Sequence, residues 1–390
     1  MTRPLSGSAP RTRLPTAQRR AQLADAAGRL FRLRGFHQVS MADVAGAVGI
    51  TAPALYRHYA DKQELLAAAV GGALDVVEEA LARAPEVPLD AFLDVMAGAA
   101  VAEHDLWVLL QRELRHVDAD RRAALDRRFG ALARRFTAAI ARDRPALTGT
   151  QARFCATGAL AVLASPSTHR REPDPARHGA VLAAAALAAS RARWATGGRS
   201  DAPARPAPGG RSEQLLDTAV GLFAARGYQA VSLDDIAAEL GMAGPSIYHW
   251  YPTKADLLVA AFSAAGDRLT ARHTSPADLD DLDDLVAGYV ELGLADRLLF
   301  AVYVLEAKNL PPEAARRVRQ ALAADVTAWL VALSRARPEL PADQALVLVH
   351  AARAVVQDVV RLGRWHEHPD TPTALRATVQ AVLDTPVVDR

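Results

Sequence analysis

Cysteine is nearly absent from this 390-residue chain: Cys155 stands alone. That excludes an internal disulfide and any cysteine-rich metal site. Lysine is almost as scarce, with Lys62, Lys254 and Lys308 set against 43 arginines. Aromatic residues make up 5% of the chain. With alanine, leucine and valine dominant, this composition favours helices packed on helices. No run of about 20 apolar residues free of charge occurs, so no membrane span is expected. The alanine-rich stretch 180–190 is too short and too weakly apolar to be one. The opening "MTRPLSGSAPRTRLPTAQRR" lacks the apolar centre of a secretory signal, so a cytoplasmic protein is expected. Catalytic signatures are missing too. There is no glycine-rich phosphate loop, no HExxH and no cysteine-nucleophile motif. In "RWHEHPD" (364–370) two histidines stand two apart, on different faces of any helix, and proline follows at once. No enzyme, cofactor or metal site is expected.

What the chain does have is a repeat. "LADAAGRLFRLRGFHQVSMADVAGAVGITAPALYRHYADKQELL" (23–66) returns 192 positions later as "LLDTAVGLFAARGYQAVSLDDIAAELGMAGPSIYHWYPTKADLL" (215–258), with no gap and 18 of 44 positions identical. The repeat continues into "ELRHVDADRRAALDRRFGALARRFTAAIARDRPAL" (113–147) and "EAKNLPPEAARRVRQALAADVTAWLVALSRARPEL" (306–340), now at an offset of 193. Glu113 pairs with Glu306, Arg144–Pro145 with Arg337–Pro338, and Gln151 with Gln344. The duplicated unit is therefore about half the chain.

Within each copy, apolar positions at helical spacing run to Gly35 or Gly227, where a glycine ends the first helix. Ser40 and Asp43, and again Ser232 and Asp235, have the spacing of a capping box at the start of the second helix. Gly49 and Gly241 close that helix. Pro53 and Pro245 sit one or two residues into a short third, where proline costs little. A fourth helix starts near Lys62 or Lys254. Further helices are expected at about 89–103, 105–117, 119–142, 149–164, 175–194, 341–363 and 372–384. "ATGGRSDAPARPAPGGR" (195–211) reads as a linker. The segments are then a disordered basic tail 1–16, a helix-turn-helix 17–66, a helical domain 67–194, the linker 195–211, a second helix-turn-helix 212–258 and a second helical domain 259–390.

Phe31, Gly35, Ser40, Ala45, Gly49, Tyr56, Tyr59, Lys62 and Leu65–Leu66, with their counterparts Phe223, Gly227, Ser232, Ala237, Gly241, Tyr248, Tyr251, Lys254 and Leu257–Leu258, form a pattern that resembles the TetR family of bacterial transcriptional regulators. The tandem arrangement is similar to that of double-TetR proteins of actinobacteria, which include repressors of lipid-uptake and lipid-catabolism genes. The resemblance implies an all-α fold of two tandem units. Each would hold a three-helix DNA-binding domain and a helical ligand and dimerisation domain, so that one chain forms a pseudo-dimer. It also implies double-stranded operator DNA and a small effector as partners. The effector would shift the fourth helix (62–82 or 254–272) and change the separation of the two readers.

The residues point the same way. A short third helix opening with small side chains lets its backbone approach base edges. The candidate DNA contacts are Ser40, Thr51, Ala52, Ala54, Tyr56, Arg57, His58 and Lys62, then Ser232, Gly244, Ser246, Tyr248, His249 and Lys254. Tyr59 and Tyr251 suit core packing better. Two of three lysines occupy one repeat position in an arginine-rich chain, so that position wants a compact ammonium; a DNA phosphate is the expected partner. Charge is uneven. Residues 1–64 hold ten basic and four acidic residues, and 196–256 hold five and seven. If phosphate contact drives affinity, the first copy binds DNA more strongly. The tail arginines Arg11, Arg13, Arg19 and Arg20 either follow the phosphates or stay solvated.

Unequal side chains at Thr51/Ala243, Ala52/Gly244, Ala54/Ser246, Arg57/His249 and His58/Trp250 imply an operator with two dissimilar half-sites. The alternative is that only the first helix-turn-helix binds DNA and two chains associate. In the helical domains, Trp107, Phe129, Phe136 and Phe154, and Tyr289, Phe300, Tyr303 and Trp329, fall on apolar faces as pocket candidates or plain core. Mostly aliphatic walls would suit a lipid-like effector. Glu113 and Glu306 would bind a polar group of that ligand, or a buried arginine or backbone amide.

Overall fold

The structure is a computed structural model that describes residues 15–82, 87–102, 109, 113–168, 174–197, 209–270 and 281–389. Trp107, most of the expected tail and linker, and most of the expected helix 105–117 lie outside the described residues. Among the described residues the regular structure is helical, with no strand. The first half holds α1 (Thr16–Arg34), α2 (Met41–Ala47), α3 (Ala52–Tyr56), α4 (Lys62–Ala82), α5 (Leu89–Ala102), α6 (Ala119–Asp143), α7 (Gly149–Ala164) and α8 (Pro175–Arg191). The second half holds α9 (Arg211–Arg226), α10 (Leu233–Glu239), α11 (Gly244–Ile247), α12 (Lys254–Thr270), α13 (Leu282–Ala295), α14 (Arg297–Glu306), α15 (Pro312–Ala336), α16 (Ala342–Arg361) and α17 (Thr371–Leu383). The described residues fall into two compact units. One lies within Met1–Val76 and Val108–Arg128, the other within Val77–Trp107 and Phe129–Arg390.

The punctuation residues do what their chemistry requires. Gly35 and Gly227 take φ of 81° and 82°, where a Cβ is strained. Their N–H groups donate to the carbonyls of Phe31 (2.7 Å) and Phe223 (2.9 Å), ending α1 and α9. Both capping boxes form: Asp43 N donates to Ser40 Oγ (3.1 Å) and Ser40 N to Asp43 Oδ2 (2.7 Å), and Ser232 and Asp235 repeat this at 3.1 and 2.8 Å. Hydrogen bonds from the serine hold both carboxyls below the usual range.

Each helix-turn-helix has its own core. Leu23, Ala27, Phe31, Val44, Leu55, Leu65 and Leu66 are fully buried in the first. Their equivalents Leu215, Ala219, Phe223, Ile236, Ile247, Leu257 and Leu258 are fully buried in the second. Burial is thus copied position by position, which is what holds two divergent sequences to one shape.

In the second unit, α7, α8, α16 and α17 pack together as a four-helix bundle that joins the two helical domains. Small residues permit the close approach: a Cβ on Gly158 would stand 3.1 Å from Thr378, and the repeat-related Ala351 and Ala185 are fully buried. The Arg–Pro pairs serve this bundle. Arg144 Nη1 caps the end of α8 through the carbonyls of Ser190 (2.8 Å) and Ala192 (3.0 Å). Arg337 Nη1 caps α17 through Leu383 and Thr385, both at 2.7 Å. Cys155, beside Arg144, is fully buried, and burial pushes its thiol up to about 11.

Candidate nucleic-acid interface

In the first unit, α3 presents Thr51, Tyr56 and Arg57 to solvent, with Tyr56 54% exposed. Ala52, Ala54 and His58 are half-buried. The helix is fixed from behind. Tyr59, buried, donates its hydroxyl to Arg20 O (2.9 Å), and the Arg20 guanidinium lies 4.2 Å from the Tyr59 ring centre. Arg20 also donates to the His58 carbonyl and pairs with Glu64 at 3.1 Å. Glu64 in turn accepts from Ala60 N at 2.7 Å. Arg20 is therefore engaged inside the domain.

In the second unit, α11 is shorter, and Ser246, Tyr248 and His249 are exposed, with Tyr248 at 49%. Gly244 is half-buried, and a Cβ there would stand 2.9 Å from an Asp234 oxygen. Tyr251 is buried, and its hydroxyl meets Ser212 Oγ at 2.7 Å. One exposed side chain, noted in the sequence only as the unequal counterpart of His58, was left out of the candidate contacts. Trp250, 46% exposed, stands at the position of His58. Its signal was a large apolar residue with no apolar partner at helical spacing.

Two pairs of expected DNA contacts have partners within the chain. Ser40 and Ser232 are exposed, but their hydroxyls serve the caps: each accepts an N–H and donates back to Asp43 or Asp235, at 2.5 and 2.6 Å. The lysines are also turned inward. Lys62 Nζ donates to the carbonyls of Phe36 and Val39, both at 2.9 Å, and lies 4.3 Å from the Phe36 ring centre. Lys254 Nζ donates to Tyr228 (2.6 Å) and Val231 (2.7 Å) and lies 4.4 Å from the Tyr228 ring centre. Burial lowers both ammonium pKa values. The compact ammonium is required by two converging carbonyls and a ring face, which a planar guanidinium does not fit.

Glu113 and Glu306 are buried, and each accepts the backbone N–H of the residue after the turn glycine: Phe36 N at 3.1 Å and Tyr228 N at 3.1 Å. Each thus holds a backbone amide. Of the aromatic pocket candidates, Phe136, Phe154, Tyr289 and Trp329 are buried, and Phe300 and Tyr303 are half-buried. Phe136 meets Phe92 edge-on at 4.8 Å, and Phe154 lies between Trp194 and Trp365. Tyr289 meets Trp329 and Phe300 edge-on at 5.5 and 5.8 Å, and Tyr303 meets Phe262 at 5.7 Å. Phe129 is half-buried. A cavity of about 280 Å³ lies elsewhere in the second unit, between α9, α12 and the start of α14, and touches none of them. Asp217, Asp296, Arg268 and Arg297 are its charged lining.

Two helix-turn-helix modules in one chain, each with an exposed third helix and a buried clamp, have the form of a duplicated DNA-binding class of protein. The profile described as bacterial regulatory proteins, tetR family, matches residues 23–69 and 215–261. The N-terminal domain of the tetR family is thus present twice in the chain. Among curated proteins, it is 41% identical over 63 residues to the HTH-type transcriptional activator FasR of Mycolicibacterium smegmatis, covering 16% of this chain and 29% of that one. It is 38% identical over 76 residues to the regulator TtgR of Pseudomonas putida, covering 20% and 36%. It is 30% identical over 110 residues to the HTH-type transcriptional repressor KstR2 of Rhodococcus jostii, covering 27% and 54%. The chain thus spans between 29% and 54% of the length of these relatives. All three are regulators, not enzymes. A solved structure, the ketosteroid transcriptional regulator KstR2 of Mycobacterium tuberculosis, overlays 46% of this chain and 96% of its own at a TM-score of 0.39 and 23% identity. No helix among the described residues is long and apolar enough to cross a membrane.

Proposed function

We propose that the chain is a ligand-responsive transcriptional repressor that reads an operator with two dissimilar half-sites. The carrying observation is the pair of exposed reading surfaces. Tyr56 and Tyr248 are common to both, but Arg57 and His58 in one face His249 and Trp250 in the other. A homodimer reads a palindrome because its halves are identical; two unequal readers in one chain do not. The four-helix bundle supports a monomeric pseudo-dimer, since a TetR-like dimerisation face is covered within the chain. The effector is a small lipid-like molecule, a fatty-acyl or steroid derivative, suited to the aliphatic helical domains. DNase footprinting on sites selected from a random-sequence pool tests the reading. Two unlike half-sites protected by a complex containing one chain are expected. A perfect palindrome overturns the asymmetric reading.

A second reading, in which only the first module binds DNA and two chains associate, is favoured by one observation: residues 1–64 are basic and 196–256 are not. Tyr248→Ala separates the two. It abolishes protection of one half-site in the first reading and changes nothing in the second.

A further inference from the structure

The residue after the turn glycine is held at both of its backbone groups. In the first copy, Phe36 N donates to Glu113 Oε2 at 3.1 Å and Phe36 O accepts from Lys62 at 2.9 Å. In the second, Tyr228 N donates to Glu306 Oε1 at 3.1 Å and Tyr228 O accepts from Lys254 at 2.6 Å. Both carboxylates come from the helical domain and are about 98–99% buried. Each clamp thus ties helical domain, turn and fourth helix together at one residue.

The clamps differ in what stands beside the carboxylate. His116 Nε2 lies 3.6 Å from the same Glu113 oxygen that accepts Phe36 N. The His116 ring stacks on Phe36 at 5.1 Å, and His37 meets it edge-on at 4.5 Å. At the repeat-related positions stand Gln229 and Asn309, joined by a hydrogen bond of 3.2 Å. Asn309 Nδ2 donates to Glu306 Oε2 at 2.7 Å, leaving Oε1 to the backbone amide. Two imidazoles in one copy are two amides in the other, and amides take up no proton near neutral pH.

We infer that Glu113 and Glu306 position the turns of the two reading modules, and that acid loosens the first turn while the second stays held. A proton taken from solvent by His116 makes it a charged donor aimed at the oxygen that holds Phe36 N. A charged donor outcompetes a neutral amide for a carboxylate. Among the described contacts, Glu113 and His37 from the turn face His116, Arg115 precedes it on its own turn, and the Lys62 ammonium of α4 lies over the Phe36 ring on which His116 stacks. Glu113 favours the first protonation. In the second copy the same pH change finds amides at the positions of the two imidazoles.

Hydrogen exchange of the full chain, read by mass spectrometry without DNA, tests this independently of the regulatory reading. From pH 8 to pH 5.5, after correction for intrinsic rates, protection of a peptide spanning 36–39 is expected to fall about tenfold, the loss of one charge-assisted hydrogen bond. Protection of 228–231 is expected to stay constant. His37→Gln with His116→Asn, which installs the second copy's pair, removes the response. Glu113→Gln keeps an acceptor oxygen without the charge, so it folds and shows protection that no longer varies with pH. Equal responses in the two copies, or a response that survives the double replacement, overturns the inference.

Discussion

Lys62 and Lys254 each satisfy carbonyls that lie 23 to 26 residues upstream. Removing the ammonium leaves those partly buried acceptors unpaired, at a cost of about 1–3 kcal/mol. Lys62→Ala is therefore expected to lower stability by about that amount in urea denaturation followed by helical circular dichroism, with Lys62→Arg rescuing less than half of it. An unchanged midpoint in both variants, with DNA binding lost, would return these lysines to the phosphate backbone. The sequence marked the position correctly, because two of three lysines share it. Its partner was not legible. A carbonyl acceptor has no residue identity, so no pattern of side chains announces it. Trp250 was marked only as unequal to His58; the structure adds that it stands 46% exposed just beyond the end of α11.

At the scale of elements, the helix ends were legible because caps are local. α7 was expected at 149–164 and runs Gly149–Ala164, opened by the Thr148–Gln151 capping box. The pocket was not legible, since aromatics on an apolar face obey the same period whether they pack or line a cavity. Asp325 and Arg353 show the limit most clearly. They form a buried ion pair between α15 and α16, with Arg353 4.8 Å from the Tyr289 ring centre and Gln357 donating to the Tyr289 hydroxyl at 2.9 Å. The repeat-related residues in the first half are Leu132 and Leu160. Breaking a buried pair strands a charge, whereas replacing both partners with apolar residues is often neutral or stabilising. Arg353→Leu alone is expected to destabilise the second half by about 3–5 kcal/mol, and Asp325→Leu with Arg353→Leu to restore most of it. A double variant as unstable as the single one would mean that the pair has a role the leucine version cannot fill.

At the scale of the whole molecule, helices of the two repeats pack into one bundle, and the repeat has lost its symmetry there too. His178 on α8 and His350 on α16 act on one another within the bundle. The repeat-related positions are Thr371 and Thr157. Burial, and then the neighbouring His178, push the His350 pKa down to about 4. An unfolded histidine titrates near 6.5, so between pH 6.5 and pH 4 the unfolded chain binds a proton that the folded chain refuses. Folding stability is then unaffected by this group above pH 6.5 and falls as pH drops, by up to about 1.4 kcal/mol per unit and about 3 kcal/mol in all. His350→Thr, which copies the other half of the repeat, is expected to flatten that part of the pH–stability curve. The measurement is a series of urea titrations from pH 7 to pH 4.5 on both proteins. If the wild type and His350→Thr lose stability in parallel, the bundle's acid sensitivity lies in other groups, and His350 is not held neutral at the contact between the halves.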